Sequence, residues 1–177
     1  MNQPGFLHSL LPMKIERLQT KDIPTMWRIN EEGLPGVGKV SMERLTDLLS
    51  LCDFPLGAHH GGELVGFVLC LSPGTRYDSL NYAWFNERYD KFVYVDRIAV
   101  GKSQRDLKIG SQLYARVIQH ANKRAWPVAA EVNLEPPNPG SMRFHSRHHF
   151  KQVGVLDHEN TSVAMLMRDC EATSHSE

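Results

Sequence analysis

The chain is short of cysteine, of net charge and of long apolar runs, and each shortage closes off a class of function. Its 177 residues hold three cysteines, Cys52, Cys70 and Cys170, with no C-x-x-C pair. That number and spacing suit neither a disulfide scaffold nor a zinc knuckle, and they predict reduced thiols in the cytoplasm. Twenty lysines and arginines balance twenty aspartates and glutamates, and the pI is near 7.1. Without a global basic field, no nucleic acid or anionic membrane partner is expected. No apolar stretch approaches the ~20 residues needed to span a bilayer. The opening M-N-Q-P-G-F-L-H-S-L-L-P-M-K also lacks the basic and apolar regions of a secretory signal. Walker loops, dinucleotide-binding G-x-G-x-x-G turns, internal repeats and low-complexity linkers are missing too. Hydrophobic content of 41% and charged content of 23% then point to one ordinary globular domain.

What is present concentrates between Phe92 and Ala121. An apolar strand, F-V-Y-V-D-R-I-A-V, runs into the polar turn G-K-S-Q-R-D-L-K-I-G and then an amphipathic helix, S-Q-L-Y-A-R-V-I-Q-H-A. The first N–H groups of a helix lack internal partners, and its dipole places partial positive charge there, so this junction predicts a phosphate site. Arg105 and Lys108 add charge and Gly110 leaves room.

Elsewhere, alternation predicts a strand over 13–18, and Thr20 or Asp22 caps a helix that ends near Gly33. The run G-L-P-G-V-G-K reads as a loop, and Ser41 opens a second helix. Residues 55–60 and 64–71 form a hairpin about Gly61 and Gly62. Residues 72–90 read as one long, aromatic-rich loop suited to lining a site. A central strand over 92–100 is followed by a helix over 108–124, a strand over 126–132, a short helix over 139–148, and closing strands over 150–156 and 161–168. The expected division is a flexible lead-in over 1–12, a domain over 13–168 and a polar tail over 169–177. This order implies an α/β (α+β) fold: a mixed, mostly antiparallel sheet with helices on both faces.

Arg105-Asp106-Leu107-Lys108-Ile109-Gly110 resembles the [QR]-x-x-G-x-[GA] signature of the GNAT superfamily of N-acetyltransferases, with Lys108 in place of the first glycine. Downstream, Asn138, Ser141, Phe144, His145, His149 and Phe150 match the spacing of that family's N-x-x-A-x-x-[FL]-Y-x-x-x-G-F. Ser141 replaces alanine, His145 tyrosine and His149 glycine. The order of elements over 13–168 also resembles the GNAT fold.

The resemblance implies acetyl-CoA as cosubstrate and no metal. Its diphosphate would lie on Arg105, Asp106, Leu107, Lys108, Ile109, Gly110 and Ser111, with Lys108 keeping a helical backbone and offering its ammonium. Its pantetheine would lie on Ile98, Ala99 and Val100 and against Asn133, Asn138, Ser141 and Phe144, in a gap between the central strand and the next. The acceptor would be a small-molecule or peptide amine, and a homodimer is an option because many relatives pair.

In the tyrosine slot, His145 is the expected proton donor to the departing sulfur, as an imidazolium or a neutral N–H. Asp96 is a candidate base or a member of a fixed ion pair that shapes the sheet, and Glu131 is the competing base. Strand alternation would put Asp96 with Tyr94 and Ile98 and Arg97 on the other face. Tyr94, Tyr82 and Trp84 are expected on the acceptor side. His145, His148, His149 and His158 lack H-E-x-x-H spacing and read as surface histidines rather than metal ligands. A non-catalytic acyl-CoA-binding module is the competing function.

Overall fold

The computed structural model describes residues 11–171. The polar tail beyond 171 and most of the lead-in lie outside the described residues. Seven strands are laid down in chain order: β1 Met13–Arg17, β2 Phe54–His60, β3 Glu63–Leu71, β4 Val93–Val100, β5 Val128–Glu135, β6 Lys151–Asp157 and β7 Ser162–Arg168. They form one sheet in the order β1-β2-β3-β4-β5-β7-β6. Every neighbouring pair is antiparallel except β4 with β5. Helices α1 Ile23–Glu32, α2 Met42–Leu51 and α3 Leu80–Asn86 cover one face, while α4 Ile109–Arg124 and α5 Pro139–Arg147 cover the other. The fold expected from the order of elements is the one observed, and the strand and helix limits shift by only one to three residues.

Each helix forms for a legible reason. In α1, Ile23, Met26 and Ile29 recur at helical spacing and are buried, and Gly33 receives the chain at the end. The hydroxyl of Ser41 accepts from the Arg44 amide at 3.1 Å and starts α2. Leu113, Tyr114, Val117 and Ala121 form the buried stripe of α4. The stretch 72–90 is a correction to the sequence reading, because α3 interrupts it. Ser79 caps that helix by accepting from the Tyr82 amide, and Tyr82 and Phe85 turn into the core. A seven-residue helix carries too few periodic positions to stand out among so many aromatics.

Two irregularities in β4 shape the centre. Leu69 pairs with Arg97 but Cys70 pairs with Val95, which leaves Asp96 as the extra residue of a bulge. The bulge reverses alternation. Tyr94 and Ala99 belong to the core on the α1 side, and Val95 and Ile98 to the core on the α4 side. Arg97 reaches Asn30 of α1 and so shares the face of Tyr94, contrary to strict alternation. The second irregularity is a parting of strands. The parallel β4–β5 ladder consists of Val93 with Val128 and Tyr94 with Ala129, then ends.

Candidate active site

Beyond Tyr94, the β5-facing edge of β4 has no strand partner, and a cleft of about 890 Å³ opens alongside it. Ile98, Ala99 and Val100 form one wall, and Asn138, Ser141 and Phe144 of the α5 region form the other. At its far end lies the start of α4. Asp106 and Lys108 both adopt positive φ, 66° and 60°, and this double left-handed turn swings the chain into the helix. The first bond across the helix start runs from the Gln112 amide to the Lys108 carbonyl at 3.0 Å, so the amides of 109–111 precede it and suit an anion. Gly110 lies under Phe144, where a Cβ would come within 3.3 Å of the ring. Arg105 braces the turn by donating to the carbonyls of Val100 (3.4 Å) and Glu32 (2.8 Å). Over the top passes the 33–38 loop, tied down where the Asn138 amide donates to the Gly36 carbonyl at 3.3 Å.

A second, smaller cavity of about 260 Å³ adjoins the cleft and shares Gly36, Val37, Ile98 and Ser141 with it. Its wall converges from two strands, three helices and two loops. Asp96 accepts from the Tyr77 hydroxyl at 2.5 Å and from Arg97 Nε at 2.8 Å. Arg97 also donates through Nη1 to Asn30 Oδ1 (3.0 Å) and to the Gly38 carbonyl (3.2 Å). Across the parted strands, Glu131 Oε1 accepts from the Tyr94 hydroxyl (2.7 Å) and the Asn81 amide (3.3 Å). Its Oε2 is buried without a hydrogen-bond partner. Burial, and then the charge of Asp96, push the Glu131 carboxyl up to about 8, against the pull of Tyr94, Asn81 and Arg97. That places a proton acceptor near working pH in the wall of the smaller cavity.

His145 is buried at 4% exposure with both ring nitrogens engaged. Nδ1 lies 2.8 Å from the Ser141 carbonyl, which only accepts, so Nδ1 carries the hydrogen. Nε2 is then the acceptor for the Tyr114 hydroxyl at 2.7 Å. Burial pushes the imidazole pKa down, which keeps the ring neutral.

A family profile described as "Acetyltransferase (GNAT) family" matches residues 23–150. The chain belongs to the GNAT acetyltransferases. No curated protein matches it in sequence. Among solved structures, the ribosomal-protein-S18-alanine N-acetyltransferase of Escherichia coli superposes with a TM-score of 0.72 at 13% identity, over 94% of this chain and 99% of that one. Ard1 from Thermoplasma volcanium gives 0.73 at 18%, over 90% and 98%. Arabidopsis thaliana Naa50, in complex with the bisubstrate analogue CoA-Ac-MVNAL, gives 0.67 at 15%, over 89% and 98%. At these identities the likeness is one of fold.

On this GNAT frame most residues expected around the coenzyme come together. Ile98, Ala99, Val100, Arg105, Asp106, Lys108, Ile109, Gly110, Ser111, Asn138, Ser141 and Phe144 all line the cleft. Leu107 does not; it is 55% exposed and turns to solvent between the two left-handed residues. Lys108, expected to keep a helical backbone, is instead left-handed. Asn133 lines the inner cavity rather than the cleft. Asn138 spends its side-chain oxygen capping α5, accepting from the Ser141 amide at 3.2 Å.

The acceptor-side expectations need more correction. Tyr82 is buried and donates to the Ser72 carbonyl, and Trp84 packs on Gly154 and Arg88, so neither lines the cavity. Tyr94 is buried and serves Glu131. Asp96 is committed to Tyr77 and Arg97, the ion-pair reading. The imidazolium and N–H donor roles for His145 do not fit a neutral ring whose single hydrogen goes to Ser141. Sequence reasoning missed Tyr77, Asn81, Tyr114 and the 33–38 loop as parts of the site. Tyr114 had a signal, a bulky polar-tipped residue on the buried stripe of α4; Asn81 had none. Among the described residues no three His, Cys, Asp or Glu gather to hold a metal, and no helix is long and apolar enough to cross a membrane.

Proposed function

We propose that this GNAT enzyme transfers an acetyl group from acetyl-CoA to a primary amine that carries no carboxylate beside it, with Glu131 as the base. The observation that carries this reading is the unpartnered Glu131 Oε2 in a cavity that opens on the cleft at Ile98. The cleft fits the coenzyme: helix-start amides with Lys108 for the diphosphate, and an unpaired strand edge for the amides of the pantetheine arm. The coenzyme supplies the activated acyl group. Glu131 takes a proton from the ammonium, and the freed amine attacks the carbonyl. Backbone N–H groups near Ile98 and Ala99 offset the developing oxyanion. As the C–N bond forms and the C–S bond breaks, the second proton of the attacking nitrogen goes to the departing thiolate, while Tyr114, whose hydroxyl hydrogen is donated to His145, stands in the far wall of the cavity.

Charge on the cavity wall narrows the acceptor. The Arg97 guanidinium is matched by Asp96, which leaves Glu131 as the acidic wall residue without a cation against it. A free amino acid would bring a carboxylate that meets no available cation there, whereas a peptide N-terminus or an aminoalkyl chain would not. Two of the similar folds point the same way in their own descriptions, one an alanine N-acetyltransferase of a ribosomal protein and one holding a peptide bisubstrate analogue. Thiol release from acetyl-CoA, followed with free amino acids, their amides and short peptides, tests the proposal. Turnover with amides and peptides but not with free amino acids is expected. Equal turnover with free amino acids overturns the acceptor reading.

A further inference from the structure

Both hydrogen bonds on Glu131 land on the same oxygen. Tyr94 and Asn81 donate to Oε1, at 2.7 and 3.3 Å, and Oε2 receives none. Asn81 is itself held from the other side. Its Oδ1 lies 2.9 Å from His158 Nε2, in the turn between β6 and β7. The pattern of hydrogens is determined by the carboxylate. Glu131 accepts only, so the NH2 of Asn81 faces it, the oxygen faces His158, and His158 Nε2 carries a hydrogen. The turn is anchored in its own backbone, where the His158 amide donates to the Thr161 carbonyl at 2.7 Å.

We propose that Asn81, anchored by His158, is a positioning residue that directs Oε2 of Glu131 toward the incoming amine. The inference rests on the reading of Glu131 as the base. Asn81 stands in the first turn of α3, two residues after the cap at Ser79, so its place is set by the same short helix that buries Tyr82 and Phe85. With Tyr94 it occupies one oxygen and leaves the other to accept a proton. The groups that face Glu131 are Tyr94, Asp96 and Arg97 from β4, Asn81 from α3, and Tyr114 and His145 from the far side of the cavity.

The test is the pH profile of kcat/KM for one fixed amine. Because Asn81 favours the ionised carboxylate, Asn81→Leu should move the ascending limb up by about one pH unit, leaving acetyl-CoA affinity as in the wild type. His158→Phe should shift it less in the same direction, and His158→Gln, which restores a donor, should bring it back. An unmoved limb in both Asn81→Leu and His158→Phe overturns the proposal. If Asn81→Leu does not fold, His158→Phe decides alone, since His158 is half-buried on a turn. Glu131→Gln separates the two readings. A limb that disappears in Glu131→Gln but does not move in the others removes only the positioning role, whereas a limb that survives Glu131→Gln removes the base.

Discussion

The cleft proposed for the coenzyme and the cavity proposed for the acceptor share a wall at Ile98, yet they are built in opposite ways. Backbone makes most of the cleft: the start of α4, the bare edge of β4, and glycines where the chain must come close. Side chains make the cavity, brought from β4, β5, α3, α4, α5 and the 72–79 segment. A backbone site needs only the local rules of strand, turn and helix. A side-chain site needs the whole fold in register before two carboxylates can face each other. The cleft should therefore tolerate exchange of many side chains, while the cavity should fail with one.

The largest effect expected on this contrast is Glu131→Gln, which keeps shape and removes the proton acceptor. Turnover should fall by about 10²–10⁴-fold while acetyl-CoA affinity stays within a few fold; comparable loss of both would mean that the two sites are not separable. The same variant reports on stability. The folded pKa of Glu131 is raised to about 8, so its contribution is fully present below its unfolded value near 4.5 and is lost as pH rises through about 8. Glu131→Gln should thus gain in Tm over the wild type with rising pH, the gap opening above pH 4.5 and levelling off above pH 8.

Next comes Arg97→Met. The pair with Asp96 is buried, with side chains 11% and 4% exposed, so removing the cation leaves a carboxylate without its countercharge. Breaking such a pair costs about 3–5 kcal/mol, readable by urea unfolding at pH 7. A variant as stable as the wild type would show that Tyr77 alone holds Asp96. On the cleft side, Gly110→Leu should push against Phe144 and narrow the approach to the helix start, weakening acetyl-CoA binding at least about tenfold with little change in pH profile.

The same contrast explains which parts were legible beforehand. The strand, turn and helix from 92 to 124 announce themselves because hydrophobic period changes from two to 3.6 across a polar turn, and twelve of the cleft residues follow from that junction and the Asn138 segment. The bulge at Asp96 was not legible, since nothing in V-Y-V-D-R-I-A-V marks an extra residue; pairing with Leu69 and Cys70 creates it. That single residue decides that Arg97 rather than Asp96 shares a face with Tyr94. Tyr82 and Trp84 misled for a related reason. Aromatics between strands suit a ligand and a core equally well, and only the packing of α3 on Gly154 and Phe92 tells them apart. His145 was found by its spacing, but its neutral state depends on burial, and the role of each ring nitrogen depends on the Ser141 carbonyl and on a phenol from α4.

The smallest effects belong to two positions where the family motif has glycine and this chain does not. Lys108 and His149 both adopt left-handed backbone, with φ of 60° and 65°. The conformation is thus kept even though the residue that adopts it freely is gone. A non-glycine residue there carries strain on the order of 1 kcal/mol. His149→Gly should recover part of that and do nothing else, because His149 follows α5 and does not line the cleft. Lys108→Gly should gain a similar stability but lose the ammonium at the helix start, so acetyl-CoA affinity should fall a few fold and depend less steeply on salt. Equal affinity and equal salt dependence in the two glycine variants would mean that backbone amides hold the diphosphate without help from Lys108, which would make the cleft a purer backbone site than drawn above.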